Sequence, residues 1–520
     1  MADAAAERHG QETFFVVDEG VLGETLGGRQ ETLAAPLAAN APKFRFSRMG
    51  PKGAGKQLGD ANIRKIAQAM TVAAGPPGAM AAGFTYLGQF IDHDLTFDKS
   101  PLIEGKDESP AELILSRSPT LDLDSLYGAG PHDPASAKFY ASDGLHLKMG
   151  EADGSPSHGF DLPRKGSGPP KDARVAVIPD PRNDENLAVA QTHLAMIRFH
   201  NRVVDTLPSS VPAAQRFHKA REIVTKHYQW MIRTDYLPKI CTPAVVNDVF
   251  KNGRKAFEPN KPATSVPTMP LEFSVAAFRL GHSMVRGHYN WNANFPAATL
   301  QRLFDFAALG GDLDGGTRLP SVWIADLRHL YNFGSAGRPD LAVPASKFNR
   351  AMRIDTNLAH FLRTLPPHIA NAPSPGNNLA YRNLTRAGMV KLATGQQMVR
   401  FLRSKGVSVT KLTNAQIRDG KNGADFSGLT AAQRNALLTN TPLWFYILRE
   451  SELNNGKLGG VGSRIVAETF ERAMGGAKFS IVRDSAFRPH LGPNNNTFRM
   501  VDLLLFAFEG KKNLLAPLGD

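Results

Sequence analysis

Phe84, Leu87, Ile91 and Leu95 recur at three- and four-residue steps and predict one apolar helix face turned to a core. Thr85, Gln89, Asp92 and Thr96 form a polar stripe beside it. Gln89 and His93, four apart, share a face, while Asp94 lies roughly 100° further round, so this one helix can serve two sites. Leu187, Ala190, Leu194, Ile197 and Val204 predict a second helix, and Pro212 opens a third carrying Phe217, Ala220, Val224, Met231 and Ile232. Val275, Phe278, His282 and Val285 mark another helix face, and further helices are predicted over 300–308, 345–356, 463–474 and 500–508. The segment 99–171 is rich in Gly, Pro, Ser and Asp and reads as irregular. Strand signals are few and no long repeat is present, so the expectation is a mainly α fold with long irregular loops and little β. One large catalytic domain over 44–520 follows a loosely ordered, Ala- and Gly-rich arm over 1–43.

Composition narrows the class. Hydrophobic residues make up 42% of the 520, yet no apolar run approaches the roughly 18 residues a membrane span needs. The amino terminus begins with an acid and has no basic head followed by an apolar stretch, which points to a cytoplasmic or non-classically secreted protein. The single cysteine, Cys241, excludes an internal disulfide framework and any multi-cysteine metal site. A net charge of +13 attracts anions, but it is spread without a basic block or basic–aromatic stripe, so no specific nucleic-acid partner is expected. The glycine- and lysine-rich loop Gly50 to Lys56 lacks the spacing and terminal hydroxyl residue of a phosphate-binding loop.

Four stretches could carry chemistry. In Gln89-Phe90-Ile91-Asp92-His93-Asp94 two acids flank one imidazole, an expensive group to bury unless it is a satisfied core histidine, a catalytic group or a metal site. Ser118, Thr120, Asp122 and Asp124 alternate along the chain, which suits either a solvated turn or a hard cation such as Ca²⁺ shared with Asp94. Asp180-Pro181-Arg182-Asn183-Asp184-Glu185-Asn186 stands before a helix, where its acids serve as caps or its guanidinium stabilises charge on a bound oxygen. His282, behind Gly281 on an apolar face, is either a core histidine or an iron ligand that needs a partner on its other ring nitrogen.

In chain order these four stretches resemble the animal-type haem peroxidases, the peroxidase–cyclooxygenase superfamily, and in particular its bacterial members related to myeloperoxidase. That resemblance implies a helical haem peroxidase fold and haem b as cofactor. It assigns His93 as the distal proton acceptor, Gln89 as the residue orienting water or a small anion, and Arg182 as the distal arginine. His282 is then the iron ligand, and Asn383 in Tyr381-Arg382-Asn383-Leu384-Thr385-Arg386 accepts its proton. Arg279 and Arg386 stand near the haem propionates, and Asp92 and Glu185 are the acids that esterify haem methyls. Asp94, Ser118, Thr120, Asp122 and Asp124 correspond to a calcium site, with Ser118 in place of the usual Thr and Asp124 in place of the usual Ser. Asn186 stands where myeloperoxidase has a methionine joined to haem, so no sulfonium link is expected.

The implied activity is reduction of hydrogen peroxide with small organic or anionic donors, halide or thiocyanate among the candidates. Three other readings remain open. A fatty-acid dioxygenase of the same superfamily would need a tyrosine where Arg279 stands. An HD-type metal-dependent phosphohydrolase would build on His93-Asp94. A haem-binding relative without turnover would keep the pocket and lose the reaction.

Overall fold

The computed structural model describes residues 44–55, 58–98, 109–113, 115–365 and 374–520, so the arm expected over 1–43 and part of the 99–171 segment lie outside the described residues. Helices of eight or more residues are numbered in chain order among them. They are α1 (Asp60–Met70), α2 (Gly83–Leu95), α3 (Leu187–Thr206), α4 (Arg216–Met231), α5 (Pro243–Asn252) and α6 (Leu379–Met389), followed by α7 (Gly395–Ser404), α8 (Ala431–Thr439), α9 (Leu443–Leu453), α10 (Gly460–Gly476) and α11 (Met500–Ala507). Among the described residues, strands of two to five residues pair only as two-stranded ladders, so the fold is mainly α, as the periodicity predicts.

The core is a helix-on-helix arrangement in which α3 packs against α2, α4 and α11, while α10 packs against α5 and α9. Asn186 starts α3 by accepting a hydrogen bond from the Val189 backbone N–H at 3.0 Å, the usual work of an N-cap side chain. Past Met231 the chain widens into a π-turn over Ile232–Tyr236, which carries Tyr236 against α2.

The periodicity reads α2, α3, α10 and α11 correctly and misreads two segments. No helix forms over 345–356. Instead Arg350–Met352 pairs antiparallel with Pro77–Ala81, and Asn349 turns its amide to the carbonyls of Asn290 and His329. That long-range pairing outcompetes a local helix whose apolar spacing is weak. The 275–285 face is not one helix either, but three short pieces: Leu271–Ser274, a 3₁₀ turn over Ala277–Leu280, and Gly281–Met284. Ala276, with φ −134° and ψ −70°, breaks the run. The helix expected over 300–308 ends at Asp305, and the one opened by Pro212 begins with a 3₁₀ turn before α4. In the described part of 99–171 the elements are helical pieces of three or four residues, Asp124–Tyr127 among them, isolated bridges and the Gly150–Glu151/His158–Asp161 ladder.

Candidate active site

Every residue of α2 is buried, so its polar stripe must find partners inside the protein. Two glycines let it pack so closely. A Cβ at Gly83 would stand 2.2 Å from the Tyr331 ring, and one at Gly88 would stand 2.3 Å from the Tyr236 hydroxyl. The helix ends where the Asp92 carbonyl accepts both the backbone N–H of Thr96, at 2.8 Å, and its hydroxyl, at 3.0 Å.

The three ionisable residues at the end of α2 go to three different places. His93 Nδ1 lies 2.9 Å from Asn183 Oδ1, and burial lowers its pKa. Asp92 Oδ2 accepts Arg279 Nη1 at 3.0 Å while Oδ1 has no hydrogen-bond partner, and burial pushes this carboxyl up to about 8. Asp94 accepts the backbone N–H of Leu123 at 3.2 Å, and that of Ser125 at 3.2 Å together with the Ser125 hydroxyl at 3.1 Å.

The 3₁₀ turn Pro181–Asp184 stands over this helix end. Arg182 donates to Asp180 through Nε at 2.9 Å and Nη2 at 2.8 Å, and to the carbonyls of His93 at 3.0 Å and Thr96 at 2.6 Å. Its guanidinium lies 4.2 Å from the Phe97 ring centre, and burial lowers its pKa only to about 9, so it stays charged at neutral pH. Gln89 donates to Glu185 at 3.2 Å and accepts from Asn186 at 3.0 Å, which ties the next turn of α2 to the start of α3.

On the other side of the cavity, His282 Nδ1 lies 2.9 Å from the amide of Asn383, on α6. Asn383 Nδ2 faces the ring and Oδ1 has no partner; the opposite amide orientation lets Oδ1 accept an Nδ1 proton. Arg386, one turn along α6, pairs with Asp98 at 2.7 Å. Between α2 and the 277–284 segment lies a cavity lined by Gln89, Asp92, His93, Phe278, Arg279 and His282. The fold thus brings together two histidines from segments far apart in the chain.

The oxygen-rich stretch sits beside Asp94. Ser118 and Thr120 hydroxyls are 2.7 Å apart, and Thr120 donates to Asp122 Oδ2 at 2.7 Å. Asp122 Oδ1 accepts the Lys478 backbone N–H at 2.7 Å, and Asp124 faces Arg221 at 3.3 Å. Burial and then the neighbouring Asp124 charge raise Asp94 to about 7, and burial and then Asp122 raise Asp124. Among the described residues no group of three or more His, Cys, Asp or Glu converges at metal-binding geometry.

Two polar residues outside the predicted set complete the site. Asn183, read from sequence only as part of a capping run, reaches His93 with one end of its amide and His193 Nδ1 with the other, at 3.0 Å. The available signal was a polar residue next to Arg182 and a histidine on the buried stripe of α3.

A family model described as animal haem peroxidase matches residues 96–305. It covers Arg182, Glu185, Arg279 and His282, and starts just after α2. Thyroid peroxidase of Rattus norvegicus is 27% identical over 187 residues, 34% of this chain and 20% of that protein. The chain therefore spans about a fifth of the length of the curated relatives it matches first. Peroxidase A from Dictyostelium discoideum superposes with a TM-score of 0.60 at 17% identity, covering 91% of this chain and 94% of that one. A fatty acid alpha-dioxygenase of Arabidopsis thaliana superposes at 0.54 and 13% identity, over 89% and 75%. At such identities the two structural likenesses describe the fold alone.

Proposed function

We propose that the chain is a member of the animal-type haem peroxidase superfamily and a haem peroxidase, reducing hydrogen peroxide with electrons from small organic or anionic donors. The observation that carries this reading is the pair of buried histidines facing one cavity, each with a ring nitrogen held by an asparagine amide. The cavity suits haem b. A Cβ added at Gly281 would meet nothing within 4 Å, Asp92 Oδ1 is a buried oxygen without a partner, and Tyr236 and Phe278 give apolar walls.

Haem, when bound, would supply the iron at which peroxide is reduced and the store of oxidising equivalents that electron donors then discharge. The protein's own groups hold it and move protons. His282 would hold the iron through Nε2, since the Asn383 amide stands 2.9 Å from Nδ1, and in the orientation that turns Oδ1 to the ring that amide would accept the Nδ1 proton and raise the basicity of the imidazole. His93, kept neutral by burial, takes a proton from peroxide at Nε2 and returns it to the departing oxygen. Arg182, charged and pinned to the His93 carbonyl, stabilises the negative charge that develops on that oxygen. Gln89, held by Glu185 and Asn186, orients a water or small anion such as a halide or thiocyanate.

Asp92 and Glu185 are the candidate ester links to haem b, and Arg279 and Arg386 the candidate propionate partners. Asp94, Ser118, Thr120, Asp122 and Asp124 are the candidate hard-oxygen ligands of calcium, whose charge would favour the ionised form of Asp94 and Asp124, raised by burial and then by neighbouring carboxylates. The dioxygenase alternative is disfavoured because Arg279, tied to Asp92, stands at its tyrosine position. The phosphohydrolase dyad is disfavoured because His93 and Asp94 address different partners.

The test is spectroscopic and kinetic. The chain supplied with haem should show a Soret band and peroxide-dependent oxidation of a phenolic donor, both lost in His282→Ala. A pyridine haemochrome assay before and after acid–acetone extraction reports attachment, since ester-linked haem stays with the protein. A colourless protein with haem in excess would overturn the reading.

A further inference from the structure

We propose that Asn183 is a positioning residue that locks His93 in the tautomer with hydrogen on Nδ1, through a three-residue clamp closed by His193. The consequence for catalysis rests on the peroxidase reading, but the clamp itself does not.

Asn183 Oδ1 lies 2.9 Å from His93 Nδ1, and Asn183 Nδ2 lies 3.0 Å from His193 Nδ1. All three side chains are buried, at 2% exposure or less, so water does not compete for these contacts. An amide oxygen only accepts and an amide nitrogen only donates. In this arrangement His93 carries its hydrogen on Nδ1 and presents a bare Nε2 lone pair, and His193 accepts at Nδ1 and carries its hydrogen on Nε2. Turning the amide over would demand that both imidazoles change tautomer together. His93 would then hold hydrogen on Nε2 and have no lone pair there for an incoming proton.

A lone His93 would be free to place its hydrogen on either nitrogen, whereas an amide oxygen facing Nδ1 is met only by a hydrogen there; His193 Nε2 is buried without a partner in either arrangement and so does not choose between them. His193 matters through Nδ1 although it does not reach the cavity: by taking the amide's donor it keeps the amide's acceptor aimed at His93. In peroxide reduction Nε2 gains one proton from the oxygen that binds and releases the same proton to the oxygen that leaves, so the imidazole ends as it began.

The experiment reads tautomers directly. The full chain is labelled with ¹⁵N-histidine and, where it carries haem, held ferrous under carbon monoxide so that it is diamagnetic. Long-range ¹H–¹⁵N spectra at about pH 8, above the usual histidine pKa, distinguish protonated from bare ring nitrogens. His93→Gln and His193→Gln identify the two sets of signals. The wild-type chain should show His93 protonated at Nδ1 and His193 at Nε2. In Asn183→Asp, whose carboxylate only accepts, His93 should keep its pattern while His193 moves its hydrogen to Nδ1. In Asn183→Leu the single pattern of His93 should be lost, and peroxide reduction by the haem-loaded chain should slow roughly 10²-fold, the lower end of what a positioned acid–base contributes. Hydrogen on His93 Nε2 in the wild type, or an unchanged His93 pattern in Asn183→Leu, overturns the proposal. Wild-type spectra as expected in a chain that turns over no peroxide would instead sink the peroxidase reading and leave the clamp standing.

Discussion

His93 shows how much a single residue owes to its surroundings. As a free imidazole it would be half protonated near pH 6.5, but burial lowers its pKa, against the opposing pull of the Asp180 charge and the Asn183 bond. The neutral form is the one that accepts a proton. As pH falls from 8, kcat/KM for peroxide should therefore hold through 6.5 and decline only below it, and His93→Gln should lower it roughly 10²- to 10⁴-fold. A pH profile whose acid limb lies at or above 6.5 would contradict this. Residue types and spacing made His93, Arg182 and His282 legible as candidates. The partner Asn183 was not legible, because the same asparagine before a helix serves equally well as a cap, and only the path of the chain decides which.

At the scale of elements, α2 is the piece on which the site is built, and its glycines are structural rather than permissive. A methyl group at Gly88 would run into the Tyr236 hydroxyl at 2.3 Å. Gly88→Ala should therefore destabilise the fold by about 1–3 kcal/mol even though alanine favours helix, and Tyr236→Phe, which removes the clashing oxygen, should recover much of the loss. Thermal unfolding of the two single variants and the double variant measures this, and strictly additive effects would refute the contact. The same close packing explains how Gln89, Asp92 and His93 survive in a fully buried helix: each has a partner delivered by another element, Glu185 and Asn183 from the α3 approach and Arg279 from the 277–280 turn. That turn was misread as continuous helix because apolar spacing alone does not register the break at Ala276.

At the scale of the whole molecule, Asp94 joins the site to the oxygen-rich loop, so the two should fail together. Thorough chelation of the haem-loaded chain should lower its unfolding temperature by several degrees and diminish the Soret band, as loss of any ligand that binds only the folded state does. Unchanged melting and absorption would remove calcium from the account. Helix periodicity and side-chain chemistry are local properties, so the helical class, the faces of α2 and α3 and the chemical types at the site are legible in the chain alone. Which groups meet is settled by packing. His93 and Asn183 are 90 residues apart, His282 and Asn383 are 101 apart, and the strand over Arg350–Met352 exists only because Pro77–Ala81 lies beside it. Such pairings depend on the packing of the whole chain, and no local pattern of apolar and polar residues encodes them.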